Sequence, residues 1–419
     1  MKKLTRAEKS WILYDFANSS YGLIVMTVVL PIYYKNHLAN GLPEALSTAE
    51  WGVANSIGGF LVAILAPLLG AVADAWRFKK VFLVIFLILG VVFTGMLSFL
   101  DTGMRFTALT IYVISLIGFS GSNVFYDSML VDVTVKKRMD WISGLGYGWG
   151  YIGGALPFLM CIGLILVGTY MHTSLAMEKT SFIITAVWWA VFSIPLLMFV
   201  RQKYVVRGKH TFGQAMSNIL NTFKQIRQYK NVLIFLGAYF LYIDGVDTII
   251  RMAIPYGQEA GVTPRNMMIS VLCLQFLAFP FALLYGRLGT KFGAKPMLYV
   301  AICVYAVITF CGYLMPGLSS ITARQVTFYL LSFLIATSQG GIQALSRSFY
   351  SKLIPKEQAA QFFGFYNIFG KFATIIGPLM IALAGYTVGD SRYGILSIMF
   401  LFLFGGWLLT KVQAPAAEN

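Results

Sequence analysis

The chain is 419 residues long, 58% apolar and only 11% charged, against roughly a quarter charged in an average soluble domain. So little charge excludes a water-exposed globule of this size, and so much apolar content excludes disorder. The net charge of +16 would suit a nucleic-acid binder, but the cations gather in loops on one side of a series of apolar segments, so nucleic acid is not an expected partner.

A spanning helix needs about 20 mostly apolar residues. Twelve stretches qualify: 11–34, 51–73, 81–100, 108–131, 141–169, 180–200, 231–257, 267–288, 296–315, 324–348, 359–385 and 393–411. The first follows Lys2, Lys3, Arg6 and Lys9 but carries Asp15 and Asn18, is too long for a signal peptide, and lacks a small-residue cleavage site. Asp15, Asn18, Ser19 and Gly22 share one side of this helix.

Stretches 2 and 3 are joined by Gly70-x3-Asp74-x2-Arg77-Phe78-Lys79-Lys80. The glycine permits a close helix approach, the aspartate can sit at a helix terminus, and the cations can reach acids or lipid phosphates. Gly70, Asp74, Arg77, Lys79 and Lys80 therefore read as a conformational latch; topology-setting cations are the plainer alternative. On stretch 4, Ser120, Asn123 and Asp127 share a side. Stretch 5 carries Gly144, Gly146, Gly148 and Gly150, which could mimic a nucleotide loop; inside an apolar helix the run fits close packing better.

The longest polar stretch, 201–230, divides the chain into residues 1–200 and 231–411, six stretches each, with a short tail at 412–419. Phe212, Met216, Ile219, Phe223 and Ile226 form an apolar stripe there, and Thr211 with Gln214 can cap the helix. On stretch 7, Asp244, Asp247 and Arg251 form an acid-acid-base stripe; stretch 10 presents Gln339, Gln343 and Arg347; stretch 11 presents Asn367 and Lys371.

Charge at the bilayer centre costs about 2.5–3.5 kcal/mol per residue. Asp15, Asp127, Asp244, Asp247, Arg251, Arg347 and Lys371 are therefore candidates for function, and all but Lys371 fall on stretches 1, 4, 7 and 10. If the halves pack about a central axis, these faces can line one hydrated cavity. A carboxylate there can bind a cation, or carry a proton when desolvated; Lys371 or Arg347 can hold a carboxylate or phosphate. Both signs together suit a zwitterion. Each group can equally serve in a structural ion pair, and Asp247 with Arg251 is most simply a local one. Tyr14, Tyr126, Tyr147, Trp149 and Tyr366 can wall the cavity or simply pack.

Of the 32 Lys and Arg, 24 fall on or at the N-terminal side of the membrane and 6 on or at the opposite side, with Arg251 and Lys371 set apart as lying within spans, which places both termini in the cytoplasm. The halves also repeat: Gly70 matches Gly286 at an offset of 216, Asp127 matches Arg347 at 220, Pro157 matches Pro378 at 221 and Pro31 matches Pro255 at 224. The four cysteines lie in apolar runs without a C-x-x-C pair, and the three histidines lie in predicted loops. No metal site and no cofactor is expected. No nucleotide-binding or hydrolase motif occurs in a fitting context, so no enzyme is expected.

Twelve stretches in two halves, with the loop motif above, resemble the major facilitator superfamily. The loop departs from the usual pattern in having Arg77-Phe78 where a glycine precedes the basic pair, and its second copy, Gly286 to Lys295, has Thr290 in place of the acid. Four blocks are similar to the vacuolar effluxer-like branch, named for a fungal autophagy-related amino-acid exporter. They are Tyr14 to Tyr21, Val124 to Leu130 with Gly148 to Gly154, Ala238 to Ile249, and Gly340 to Ser348 with Phe362 to Lys371. Asp127 stands where the branch leads one to expect Asn, and Gln361 where it leads one to expect Glu.

The expected fold is an all-α membrane protein, two pseudo-symmetric six-helix bundles of the major facilitator type. The expected function is secondary transport of a small polar solute, first an amino acid or other zwitterion, with protons or another coupling ion. An efflux permease for amphipathic drugs or lipids is the alternative, and a non-transporting sensor or scaffold is the alternative of another class. A monomer among membrane lipids, in a bacterial inner membrane, is expected. Replacing Asp244 with Asn is expected to abolish or uncouple transport.

Overall fold

A computed structural model describes residues 3–206, 228–373, 376–388 and 391–414. Among these, 12 helices are long and apolar enough to cross a membrane: Arg6–Leu38, Glu50–Trp76, Lys79–Phe99, Arg105–Val133, Lys136–Tyr170, Ser174–Phe199, Lys230–Glu259, Ile269–Phe292, Ala294–Gly317, Ile321–Leu353, Lys356–Ile381 and Arg392–Lys411. They are called spans 1 to 12. Each predicted stretch overlaps one of them. Most are longer than predicted, because backbone hydrogen bonding continues where apolar composition stops. Span 1 starts early because Thr5 and Glu8 form a capping box, with the Thr5 hydroxyl accepting the Glu8 N–H at 3.2 Å and the Glu8 carboxylate accepting the Thr5 N–H at 2.8 Å. The apolar stripe from Phe212 to Ile226 and its Thr211–Gln214 cap lie outside the described residues.

The chain forms two compact units. Unit 1 is Met1–Thr134, Trp149–Ile219 and Pro355–Phe365; unit 2 is Val135–Gly148, Leu220–Ile354 and Tyr366–Asn419. Spans 5 and 11 therefore each begin in one unit and end in the other. In both units the usual soluble pattern is inverted. Val53, Ile57, Phe60 and Ile64 make an exposed stripe on span 2, as do Val81, Ile85, Ile88 and Val92 on span 3, while Asp15, Asp74, Asp132, Asp140, Asp244 and Arg347 are buried. Apolar side chains lose nothing facing lipid, whereas ionised groups need partners that only the protein interior supplies.

Small residues set the helix spacing. In unit 1 a Cβ on Gly118 would lie 2.3 Å from the Gly90 nitrogen, so spans 3 and 4 touch backbone to backbone. Span 1 passes through π-helical turns at Gly22–Val28 and Tyr34–Leu38, where the Thr27 hydroxyl bonds the Gly22 carbonyl five residues back and Pro31 supplies no N–H. Span 11 includes helix Ala359–Phe372 and the first residues of helix Ile376–Val388.

Candidate functional site

In unit 1 the polar faces of spans 1 and 4 meet. Asn18 Nδ2 donates to Asn123 Oδ1 at 2.7 Å, and Asp15 and Asn18 are buried. Asp127 is half-buried, and both it and Asp15 act electrostatically on the Tyr14 hydroxyl. Tyr126 stacks on Trp11 and packs tilted on Tyr14, both at 4.6 Å, and its carbonyl accepts the Trp11 indole N–H at 3.0 Å. Gly150 and Gly153 of span 5 lie directly on span 1, where a Cβ on Gly150 would stand 2.8 Å from Ser19 Oγ and one on Gly153 2.1 Å from the Phe16 carbonyl oxygen, while Gly144 and Gly148 pack on span 8. This close packing is the reading preferred for the glycine run. The cluster offers two carboxylates, two carboxamides and aromatic faces, a set able to receive an amine or a proton.

In unit 2 the acid-acid-base stripe of span 7 divides. Asp244 is fully buried, and its two oxygens accept the N–H groups of Ile376 at 3.0 Å and Gly377 at 3.1 Å, with the Thr248 hydroxyl at 3.2 Å. It caps the second helix of span 11, where a carboxylate meets the positive helix end. The helix packs closely on span 7 here, since a Cβ on Gly377 would lie 2.0 Å from Thr248 Oγ1. Asp247 instead faces the other two charges: its carboxylate is attracted by Arg251 and Lys371, while Arg251 repels Lys371. Asp244 acts on Asp247 and is acted on by Arg251, so two acids and two bases share a field on spans 7 and 11. Nearby, Tyr366 stacks on Tyr239 at 4.3 Å and on Tyr350 at 4.9 Å, and Gln343 and Asn367 are half-buried. Arg347 turns to span 5: Nε donates to Ser143 Oγ at 3.0 Å, Nη2 to the Ser143 carbonyl at 3.3 Å, and the guanidinium lies 4.4 Å from the Tyr147 ring.

The loop motif of unit 1 is drawn together around one lysine. Asp74 accepts the N–H groups of Ala360 at 3.2 Å and Gln361 at 2.9 Å, at the start of span 11. Lys79 Nζ lies 3.4 Å from Asp74 and 3.2 Å from Asp132 at the end of span 4, and all three side chains are within 1% of full burial. Asp132 also accepts the N–H groups of Lys203 at 2.7 Å and Tyr204 at 3.0 Å. Gly70 makes this possible, since a Cβ there would lie 2.5 Å from the Ala360 carbonyl oxygen. Arg77 is exposed and ends span 2 in the left-handed conformation, with φ of 62°; Lys80 donates to the Val200 carbonyl at 3.3 Å.

The structure also recruits residues that reading the chain did not single out. Asp132 and Asp140 sit where stretches 4 and 5 fade into cationic loops, so they pass for ordinary loop charges. Glu50, Arg105, Asn55 and Tyr112 form a second polar group in unit 1, with the Tyr112 hydroxyl donating to Asn55 Oδ1 at 2.8 Å and Arg105 3.9 Å from Glu50. Glu50 and Arg105 begin spans 2 and 4, positions that read as helix-end solvation. No group of three or more His, Cys, Asp or Glu able to hold a metal occurs among the described residues.

Comparison with known proteins agrees with this architecture. Residues 47–419 match the family model described as vacuole effluxer Atg22 like. The MFS-type transporter YxiO of Bacillus subtilis is 44% identical over 100% of this chain and 97% of its own. Autophagy-related protein 22 of Yarrowia lipolytica is 25% identical over 66% of this chain, which spans only 51% of that relative. Among solved structures, the proton:xylose symporter XylE superposes with a TM-score of 0.76 at 12% identity, covering 98% of this chain and 96% of its own. The transporter FucP gives 0.73 at 13% identity, covering 97% and 98%. The relatives are transporters, not enzymes, and a protein of 12 apolar helices is a multi-pass membrane protein. The chain belongs to the vacuole effluxer Atg22-like family of major facilitator superfamily transporters.

Proposed function

We propose that this transporter moves a small zwitterionic solute, an amino acid first, across a bacterial cell membrane by alternating access, with both termini in the cytoplasm. The observation that carries the substrate class is the field shared by Asp247, Arg251 and Lys371 beside the stacked Tyr366. A carboxylate would go to Lys371 or Arg251, an ammonium to Asp247, and the tyrosine faces would cover the side chain. Asp15, Asn18, Asn123 and Asp127 supply a second acid-rich group, the one suited to a coupling proton or an amine. Asp244 ties span 7 to the Ile376 and Gly377 N–H groups of span 11, and Gln343 and Asn367 add neutral hydrogen-bonding capacity.

Purified protein in proteoliposomes, preloaded with one amino acid and assayed for exchange against a labelled one, tests this. Saturable exchange is expected in the parent, with loss in Lys371→Met and partial retention in Lys371→Arg. Exchange no greater than in empty liposomes across the proteinogenic amino acids would refute the substrate class. A second reading, efflux of amphipathic compounds, is favoured by one observation: an apolar cleft in unit 2, lined by residues including Met252, Tyr256, Phe328 and Leu331. Dye efflux from everted vesicles, insensitive to Lys371→Met, would support it instead.

A further inference from the structure

Each compact unit contains the same helix crossing. In unit 1, spans 2 and 11 meet: a Cβ on Gly70 would lie 2.5 Å from the Ala360 carbonyl oxygen, and one on Gly364 2.7 Å from the Ala66 carbonyl carbon. In unit 2, spans 8 and 5 meet: a Cβ on Gly286 would lie 3.0 Å from the Asp140 carbonyl oxygen, and one on Gly144 2.8 Å from that of Ala282. These pairs correspond position for position. Ala66 and Gly70 map onto Ala282 and Gly286 at an offset of 216; Asp140 and Gly144 map onto Ala360 and Gly364 at 220.

The charges do not correspond. In unit 1 the acid stands on span 2 as Asp74, the base is Lys79, and span 4 adds Asp132. The same offsets give Thr290, Lys295 and Lys352. The Thr290 hydroxyl bonds its own helix at the Gly286 carbonyl, at 2.9 Å, and Lys295 donates to the carbonyls of Thr410 at 3.1 Å and Val412 at 2.7 Å. The acid reappears on the opposite helix. Asp140, buried in the first turn of span 5, accepts Ser348 Oγ at 2.7 Å and Lys352 Nζ at 2.6 Å, both on span 10. Beside it, Ser143 Oγ donates to the Ala344 carbonyl at 2.7 Å and accepts from Arg347 at 3.0 Å.

We propose that Asp140 and Lys352, supported by Ser348 and by Arg347 on Ser143, form a second conformational latch, in which acid and base have exchanged helices relative to the Asp74–Lys79–Asp132 group. The pair controls how readily the start of span 5 parts from spans 8 and 10. Thr290 can be neutral because Asp140 supplies the carboxylate from the other side of the crossing. The latch rests on the alternating-access reading above, since only a cycle that separates these helices gives it work.

The test uses the full chain in native membranes, with the four cysteines replaced and a reporter placed by Ala282→Cys, a position fully buried at the crossing. The rate of maleimide labelling reports the opening of the crossing. Asp140→Asn and Lys352→Gln should each raise it about tenfold or more, equivalent to about 1.4 kcal/mol. The exchanged pair Asp140→Lys with Lys352→Asp should return it to within about twofold of the parent, as a pairwise interaction requires. Single variants that label at the parental rate overturn the latch, as does an exchanged pair that labels as fast as the single variants. Lys352→Gln alone decides the matter if Asp140→Asn does not fold. Exchange in proteoliposomes is measured on the same proteins: absent parental flux with the labelling pattern intact counts against the transport reading and leaves the latch, and flux with unchanged labelling counts against the latch alone.

Discussion

Replacing Lys79 with Met should be among the most destabilising single changes in unit 1. The ammonium lies 3.4 Å from Asp74 and 3.2 Å from Asp132 with almost no solvent access. Its removal leaves two buried carboxylates whose facing oxygens are at most about 6.6 Å apart by those two distances. Two unit charges at that separation repel by about 2.5 kcal/mol at an effective dielectric near 20. Breaking a buried ion pair from one side costs about 3–5 kcal/mol. Each acid keeps two backbone N–H donors, from Ala360 and Gln361 for Asp74 and from Lys203 and Tyr204 for Asp132. The lower end, about 3 kcal/mol, is therefore expected. Lys80→Met is the control: it loses one 3.3 Å bond to the Val200 carbonyl, with a cost of about 1 kcal/mol. Unfolding of the detergent-purified variants, followed by tryptophan fluorescence, gives the ranking. Adding Asp132→Asn to Lys79→Met should recover part of the loss, because it removes one of the two repelling charges. A Lys79→Met variant no less stable than Lys80→Met, or an Asp132→Asn change that adds its full cost on top, would show that the three groups are not an electrostatic unit.

Gly153→Ala should destabilise by about 1–3 kcal/mol by overpacking, since its Cβ would stand 2.1 Å from the Phe16 carbonyl oxygen; Gly163→Ala, with nothing within 4 Å, should be neutral or stabilising. The order of thermal midpoints checks both. Asp244→Ala leaves the half-buried Ile376 and buried Gly377 N–H groups without their acceptor and should cost about 1–3 kcal/mol for the buried donor alone. Asp244→Asn keeps one acceptor oxygen and should fall between it and the parent, with transport lowered in the same order. Tyr112→Phe removes the 2.8 Å bond to Asn55 and should cost about 1 kcal/mol, measurable against Asn55→Ala in a double-mutant cycle in which the two changes do not add.

Some of this was legible in the chain. Apolar stretches of spanning length and an excess of cations in alternate loops need no partner to be recognised, so all twelve spans and the repeat could be read directly. The polar faces of spans 1 and 4 were also legible, because Asn18 and Asn123 each lie on a helix side at regular spacing, and the structure joins them at 2.7 Å. Helical spacing says nothing about what a side chain meets across a gap. Asp244 and Asp247 are three residues apart on one stripe, yet one caps a helix beginning at Ile376 and the other faces Lys371. The loop motif named Arg77 and Lys79 alike; the left-handed turn at Arg77 sends the first outward, and the start of span 3 carries the second into the interior.

Length, apolar content and charge placement determine that this is a twelve-span membrane protein of duplicated halves, because the free energy of putting a segment into hydrocarbon is a sum over that segment's own residues. Which charges neutralise one another is a different kind of quantity. It depends on separations of a few ångströms between residues as far apart in the chain as Asp74 and Gln361 or Asp140 and Lys352, and those are created only when glycines such as Gly70 and Gly286 let the helices cross at backbone contact.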